Sequence, residues 1–313
     1  MPKVSVIIPV YGVEEYIERS VRSLFEQTLD DIEYLFIDDC TPDKSIEILK
    51  QVLKEYPNRS HQVAIHKMEK NYGQAAVRKW GMQNATGEYV IHCDSDDWVD
   101  TDMYRTMYEK AVESSSDVVI CDYQSTDGNN SIVSHRCCFT DSVEQFKREM
   151  MFQNESWSLC NKLFRRELIE KIVFYPKDNM GEDMVLVLQL FSFCKVMSYI
   201  PKPFYYYYYN PSSITRKDSV PSVLDKFFQY RNNYQLIESF LAKAGELSRY
   251  RRELNWLRYS LRSFLFVKDK TCQRIRKTVF PFIEFKILFY PEINQSRRIE
   301  CFKCIVKQLL CLV

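Results

Sequence analysis

The 313 residues carry 43 Lys+Arg against 42 Asp+Glu and are 46% apolar, which suits one large domain or two modest ones with an ordinary core and excludes a disordered chain. No apolar run reaches the roughly 18 residues of a spanning helix, and the N-terminal MPKVSVIIPV has no small-residue cleavage site, so it is read as a first strand and not as a signal peptide. Eleven cysteines without regular spacing predict reduced thiols in a cytosolic protein, and the lone Cys301/Cys304 pair has no second pair or nearby His with which to bind zinc.

Val4–Ile8 is apolar and β-branched at every position but Ser5, as a strand buried on both faces should be. A helix over Glu14–Gln27 follows, with Ile17, Val21 and Leu24 on one face. Tyr34–Ile37 is a second buried strand. Pro42 suits the first turn of the next helix, with Thr41 as its N-cap and Ile46, Leu49 and Leu53 inward. Val63–His66 is a third strand, Ala75–Asn84 a helix and Tyr89–Cys93 a fourth strand; Thr101 caps another helix, and Val118–Cys121 is a fifth strand. This alternation predicts an α/β fold with a parallel sheet and right-handed crossovers.

Open sheets of that kind bind ligands beyond the carboxyl ends of their strands. Beyond the first strand lies Pro9-Val10-Tyr11-Gly12-Val13-Glu14, beyond the second Asp38-Asp39, and beyond the fourth Asp94-Ser95-Asp96-Asp97. An isolated Asp-x-Asp is commonly a solvated acidic turn. This one follows a buried strand and faces a second acidic pair, which favours a bound cation, because crowded carboxylates repel one another and their hard oxygens suit Mg²⁺ or Mn²⁺. An EF-hand fails because Val99 stands where its Gly is required. The chain has only seven Gly and neither GxGxxG nor GxxxxGK[ST], so phosphate must be held by metal and side chains. Arg78 is one such side chain, or else an exposed helix Arg.

The segments PVYGVEEYIERSVRSLFEQT, IDDCTPDKS and NYGQAAVRKWGMQNATGEYVIHCDSDDW resemble, in order and spacing, the motifs of the family-2 glycosyltransferases, nearly continuously from Val4 to about Asp102. The resemblance implies a GT-A (Rossmann-like) fold: a mostly parallel sheet flanked by helices, with a helical C-terminal region. It implies that Pro9, Val10, Tyr11 and Glu14 line a nucleotide pocket and that Asp39, beside Asp38, reads uracil. It places Asn71, Gly73, Arg78 and Ser95 around the nucleotide-sugar, Asp94 at ribose or metal, and Asp96 at the metal, Mn²⁺ or Mg²⁺, with Asp97 extending the cluster. Gly12 stands where the family usually has Asn, which removes any side-chain role there. Gly181-Glu182-Asp183-Met184 resembles the family's ED motif, which implies Asp183 as general base with Glu182 its neighbour; as plain sequence the pair also suits a helix N-terminus. Trp157–Arg166 resembles the family's WNKL-type segment with Cys160 in the Trp position, leaving Trp157 as core or acceptor platform. The implied reaction is a single displacement with inversion, from a nucleotide-sugar to a glycan or lipid-linked glycan of a cell-surface polysaccharide.

Residues 1–215 hold 23 Lys+Arg against 33 Asp+Glu, whereas 216–313 hold 20 against 9. The expected division is a catalytic domain over 1–215, with a nucleotide-sugar half at about 1–122 and an acceptor half at about 123–215, followed by a basic, aromatic helical region. That region either packs on the catalytic domain or lies on an anionic membrane at its inner, cytoplasmic face; no nucleic-acid module is present. Two other classes remain to weigh. A sugar-phosphate nucleotidylyltransferase would carry a Gly-rich basic loop where PVYGVEEY stands, and a non-catalytic sugar-nucleotide-binding protein would have lost Asp94, Asp96 or Asp183.

Overall fold

The structure is a computed structural model and describes residues 1–128, 132–210, 219–265, 269–279 and 285–310. Among the described residues, nine strands form one sheet: β1 (Val4–Val10), β2 (Ile32–Asp38), β3 (Val63–Lys67), β4 (Tyr89–His92), β5 (Trp98–Val99), β6 (Val118–Thr126), β7 (Ile132–His135), β8 (Lys162–Arg165) and β9 (Met197–Tyr208). Their order is β3-β2-β1-β4-β8-β6-β9-β5, with β7 on β6. The pairs β1–β2, β1–β4, β2–β3 and β6–β9 are parallel. The expected fifth strand, β6, runs in the same direction as β4 but is not its neighbour: β8 lies antiparallel between the two.

Side chains alternate across a strand, and in β1 both sets are buried. Val4, Val6, Ile8 and Val10 join a core with α1 (Ile17–Phe25), α2 (Ser45–Glu55) and α4 (Met103–Glu113). Ile7 points the other way, into a core with α3 (Gln74–Asn84), α5 (Val143–Met151) and α7 (Glu182–Phe193). Two buried faces explain why the strand is apolar at all its positions but Ser5, and truncating Ile7 to Ala would cost about 2–5 kcal/mol.

Two expected caps differ. Helix α2 starts at Ser45, three residues past Pro42, and Thr41 instead accepts from Gly12 N at 2.8 Å and donates to Asp43 Oδ1 at 2.7 Å. Helix α4 starts at Met103, and the Thr101 carbonyl accepts from Thr28 N at 2.9 Å. The residue at the cap of α4 is Asp102, whose carboxylate accepts from Thr28 Oγ1 at 2.8 Å.

Helices α8 (Val220–Lys243) and α9 (Arg251–Ser263) send Tyr234, Ile237, Leu241, Leu254, Leu257 and Leu261 into the same core as Ile7 and α7. Part of the basic excess is absorbed there: Arg249 Nε lies 3.1 Å from Glu144 Oε1, and Arg297 donates to the Phe152 and Gln153 carbonyls at 2.9 and 2.7 Å. Among the described residues, no helix is long and apolar enough to cross a membrane.

Candidate active site

The carboxyl ends of β1, β2 and β4 form one edge of the sheet. Beyond β1, Val10 O accepts from Asp39 N at 3.1 Å and Pro9 O accepts from Ser95 Oγ at 2.6 Å, so the other two segments are each tied to a carbonyl at the end of β1. Tyr11 is half exposed at the rim. Gly12 has φ +68°, a left-handed conformation that Gly and, next best, Asn adopt readily, and a Cβ there would meet nothing within 4 Å. Glu14 turns toward α2: its Oε2 accepts from Lys44 N at 3.0 Å while its own N donates to Asp43 Oδ2 at 2.9 Å.

Asp38 and Asp39 are both buried. Asp38 Oδ1 accepts from Thr41 N at 2.8 Å. Asp39 accepts from Tyr72 N and Gly73 N, each at 2.8 Å, so it holds the loop that carries exposed Asn71. Each carboxylate oxygen has a second lone pair, which leaves Asp39 able to accept once more. Asn179, far along the chain, joins this loop by accepting from Ala75 N at 3.0 Å.

The Asp94–Asp97 turn sends its carboxylates in different directions. Asp94 is bound by Arg78 Nη2 at 2.9 and 3.2 Å and keeps 27% of its side chain exposed. Asp96 Oδ2 accepts from Asn210 Nδ2 at 3.2 Å, and burial followed by the charge of Asp94 pushes its carboxyl up. Asp97 faces inward at 1% exposure; Tyr205 OH and Tyr208 N, at 2.7 Å for the latter, donate to its two oxygens. Burial drives the Asp97 carboxyl well above the usual range, the charges of Asp96 and Asp94 adding to it. Tyr205 OH also accepts from Asp94 N at 3.2 Å, so one phenol clasps both ends of the turn.

Arg78 is buried, and its Nε lies 3.6 Å from Glu182 Oε1. It therefore joins the acidic turn to the start of α7. Burial pushes Glu182 up to about 8, against the pull of Arg78. Asp183 is raised by burial too, with Arg78 and the Met184 N–H opposing; that N–H donates to Asp183 Oδ1 at 2.8 Å. Gly181, at φ +78°, precedes this pair, and a Cβ there would lie 2.5 Å from Tyr230 Cδ1 on α8. Glycine is required both by the left-handed backbone and by the close approach.

Asp183 borders a pocket of about 150 Å³ that also touches Trp157, Tyr230 and Phe264. The Trp157 turn is fixed by Lys162, whose buried Nζ donates to the Ser156 and Ser158 carbonyls at 2.9 Å each. Asn179, Tyr205, Asn210 and Tyr230 escaped sequence reasoning. Each acts through a partner more than 45 residues away.

Among the described residues, no group of three or more His, Cys, Asp or Glu side chains converges to hold a metal. The hard oxygens present are those of Asp94 and Asp96, and one or two carboxylates completed by substrate phosphates is the usual magnesium arrangement.

The family profile described as Glycosyl transferase family 2 matches residues 5–173. The putative glycosyltransferase EpsH of Bacillus subtilis is 30% identical over 81% of this chain and 73% of its own. In structure, S. aureus TarS 1-349 in complex with UDP-GlcNAc superposes with a TM-score of 0.59 at 18% identity, over 88% of this chain and 85% of that one. The Pyrobaculum calidifontis mannosyltransferase PcManGT in complex with GDP-Man and Mn²⁺ gives 0.54 at 14%, over 93% and 81%. At those identities the two structures establish a shared fold.

Proposed function

The chain belongs to glycosyl transferase family 2 and is a glycosyltransferase; from that premise we propose that it transfers a sugar from a nucleoside diphosphate sugar, a UDP-sugar, to a hydroxyl of a glycan or lipid-linked glycan. The observation that carries the reading is Arg78, which links the Asp94 turn on the donor side to the Glu182-Asp183 pair on the acceptor side.

In this reading Asp39 presents an acceptor to the base, and Ser95 holds the Asp94 turn against Pro9. Asp94 and Asp96 would hold Mg²⁺ or Mn²⁺. That ion, when bound, stabilises charge on the departing diphosphate. Asp97 instead fixes β9 beneath the turn, and Glu182 serves Arg78. Asp183 accepts the proton of the acceptor hydroxyl as its oxygen bonds to the anomeric carbon and the bond to the diphosphate breaks, with inversion. A base whose acidity is weakened by burial is suited to that role. The domain division follows: residues 1–122 bind donor and 123–215 supply the base, while 216–313 complete the acceptor side.

The test is donor hydrolysis and transfer by wild type, Asp96→Ala and Asp183→Asn. Loss in both variants, with UDP binding retained in Asp183→Asn, is expected; unchanged activity in either overturns its assignment.

Helix α11 (Gln295–Leu310) favours a peripheral membrane contact as well. Ile299 and Phe302 stand one turn apart and about half exposed, beside exposed Lys303, with Phe289 79% exposed nearby in sequence. Flotation with anionic liposomes should be lost in an Ile299→Ser/Phe302→Ser variant; equal flotation rejects the contact.

A further inference from the structure

We infer that Asn179 is a positioning residue for the donor side and that α8 holds it there, so the C-terminal helical region sets the loop on which Asp39 rests. The inference depends on reading the Asp39 edge as a nucleotide pocket, and it adds a residue and a helix on which that pocket relies.

Helix α3 opens without a side-chain cap of its own, because Gly73, at φ +86°, stands at its N-cap position. The first N–H groups of a helix have no partner within it. Here two of them are taken by side chains from other parts of the chain. Gly73 N donates to Asp39 Oδ2 at 2.8 Å, and Ala75 N donates to Asn179 Oδ1 at 3.0 Å. The Asn179 amide also lies flat against Gly73, where a Cβ would come within 2.8 Å of its Cγ. Asn179 therefore fixes where Gly73 sits. Gly73 and Tyr72 in turn fix the Asp39 carboxylate, since their N–H groups each bind one of its oxygens.

Asn179 is itself gripped from α8. Gln229 Oε1 accepts from Asn179 N and Met180 N, each at 3.1 Å. Asn233, fully buried, donates from Nδ2 to the Asp178 and Met180 carbonyls at 3.0 and 2.9 Å, and Asn232 Nδ2 donates to Asp178 Oδ2 at 3.1 Å. Gln229, Asn232 and Asn233 have the spacing of one helix face. They satisfy main-chain groups that no regular structure pairs, which holds residues 178–180 in one conformation. The contacts run without a break from α8 through Asn179 and Gly73 to Asp39. Three residues past Asn179 the same segment becomes Glu182, so one grip by α8 places both the donor loop and the acidic pair.

A cap that merely stabilised α3 would alter unfolding and leave ligand affinity alone. A cap that positions Asp39 alters nucleotide affinity in a folded protein. Calorimetric titration of the full chain with UDP, GDP, CDP and ADP, each with Mn²⁺, separates the two. Wild type should bind UDP most tightly. Asn179→Ala, which removes the acceptor, should weaken that binding about two- to tenfold. Gln229→Ala, a change on α8, should weaken it in the same direction, and it decides the matter if urea melts show Asn179→Ala unfolded. Asn179→Asp keeps the acceptor oxygen at a helix start that favours negative charge, and should restore affinity to within about twofold of wild type. If GDP, CDP or ADP binds most tightly, the uridine reading fails, and weaker binding of that nucleotide by the two alanine variants still supports the inference. Unchanged affinity in the folded alanine variants, an equal loss in Asn179→Asp and Asn179→Ala, or a wild type that binds none of the four nucleotides overturns it.

Discussion

Arg78 Nη2 sits 2.9 Å from Asp94 Oδ1, and this ion pair, buried on the Arg78 side, joins the two halves of the site. Breaking a buried pair from one side strands its partner. Arg78→Met should lose about 3–5 kcal/mol in urea unfolding at neutral pH. Arg78→Lys keeps the charge but cannot reach both carboxylates in one plane, and should fall between. An Arg78→Lys variant no more stable than Arg78→Met would show that charge alone is not what Arg78 contributes.

Glu182 gives a pH signature of known sign. Its folded value is about 8 and its ordinary one 4.5, so between these pH values the folded state binds a proton that the unfolded state has released. Stability from this group is therefore highest below about 4.5, falls as pH rises toward about 8, and is flat above it. Glu182→Gln removes the titration. The difference in urea midpoint, wild type minus Glu182→Gln, should decline from pH 5 to about pH 8 and level off above it. A constant difference would mean that Arg78 keeps Glu182 ionised throughout.

Asp96 and Asp97 are adjacent but should fail differently. Asp97→Asn cannot accept from both Tyr205 OH and Tyr208 N, and should cost about 1–3 kcal/mol while changing the apparent Mn²⁺ affinity in the presence of UDP by less than about threefold. Asp96→Asn should leave the unfolding midpoint nearly unchanged and weaken Mn²⁺ about tenfold or more, a change of about 1.4 kcal/mol. Calorimetric titration on both proteins decides, and reversed results would exchange the two roles.

Gly181→Ala tests the link between α7 and α8. The added methyl meets Tyr230 and the backbone conformation disfavours it, so about 1–3 kcal/mol should be lost. Adding Tyr230→Ala removes the collision but not the backbone term. The double variant should be less than additive by about 0.5 kcal/mol or more; strict additivity would separate the two residues.

The strands of the first half were legible because each is buried on both faces: Val4–Ile8 and Tyr34–Ile37 announce themselves as apolar runs that helical periodicity does not explain. Their ends then located Asp38, Asp39, Asp94 and Asp96 on one edge. Strand β5 is two residues long, β7 is mostly exposed, and β9 contains Pro201 and Pro203, so none of them has a pattern to read. The inward turn of Asp97 was equally hidden, since its sequence is indistinguishable from that of its acidic neighbours until Tyr205 is placed against it. The ED pair could be found as a motif, whereas the separation of its members, Glu182 toward Arg78 and Asp183 toward a pocket, depends on packing with α8.

The clasp between Tyr205 and the Asp94–Asp97 turn spans 108 residues, and proteins are made from one end. As the chain leaves the ribosome, β1, β2 and β4 can pair while their acidic turn still has no phenol to satisfy it. The donor edge is thus the first part of the sheet to be synthesised and among the last to acquire its final shape. A nascent chain stopped at residue 173, where the family match ends, would contain every carboxylate proposed to touch the donor, yet would lack the strand that sets the spacing between them.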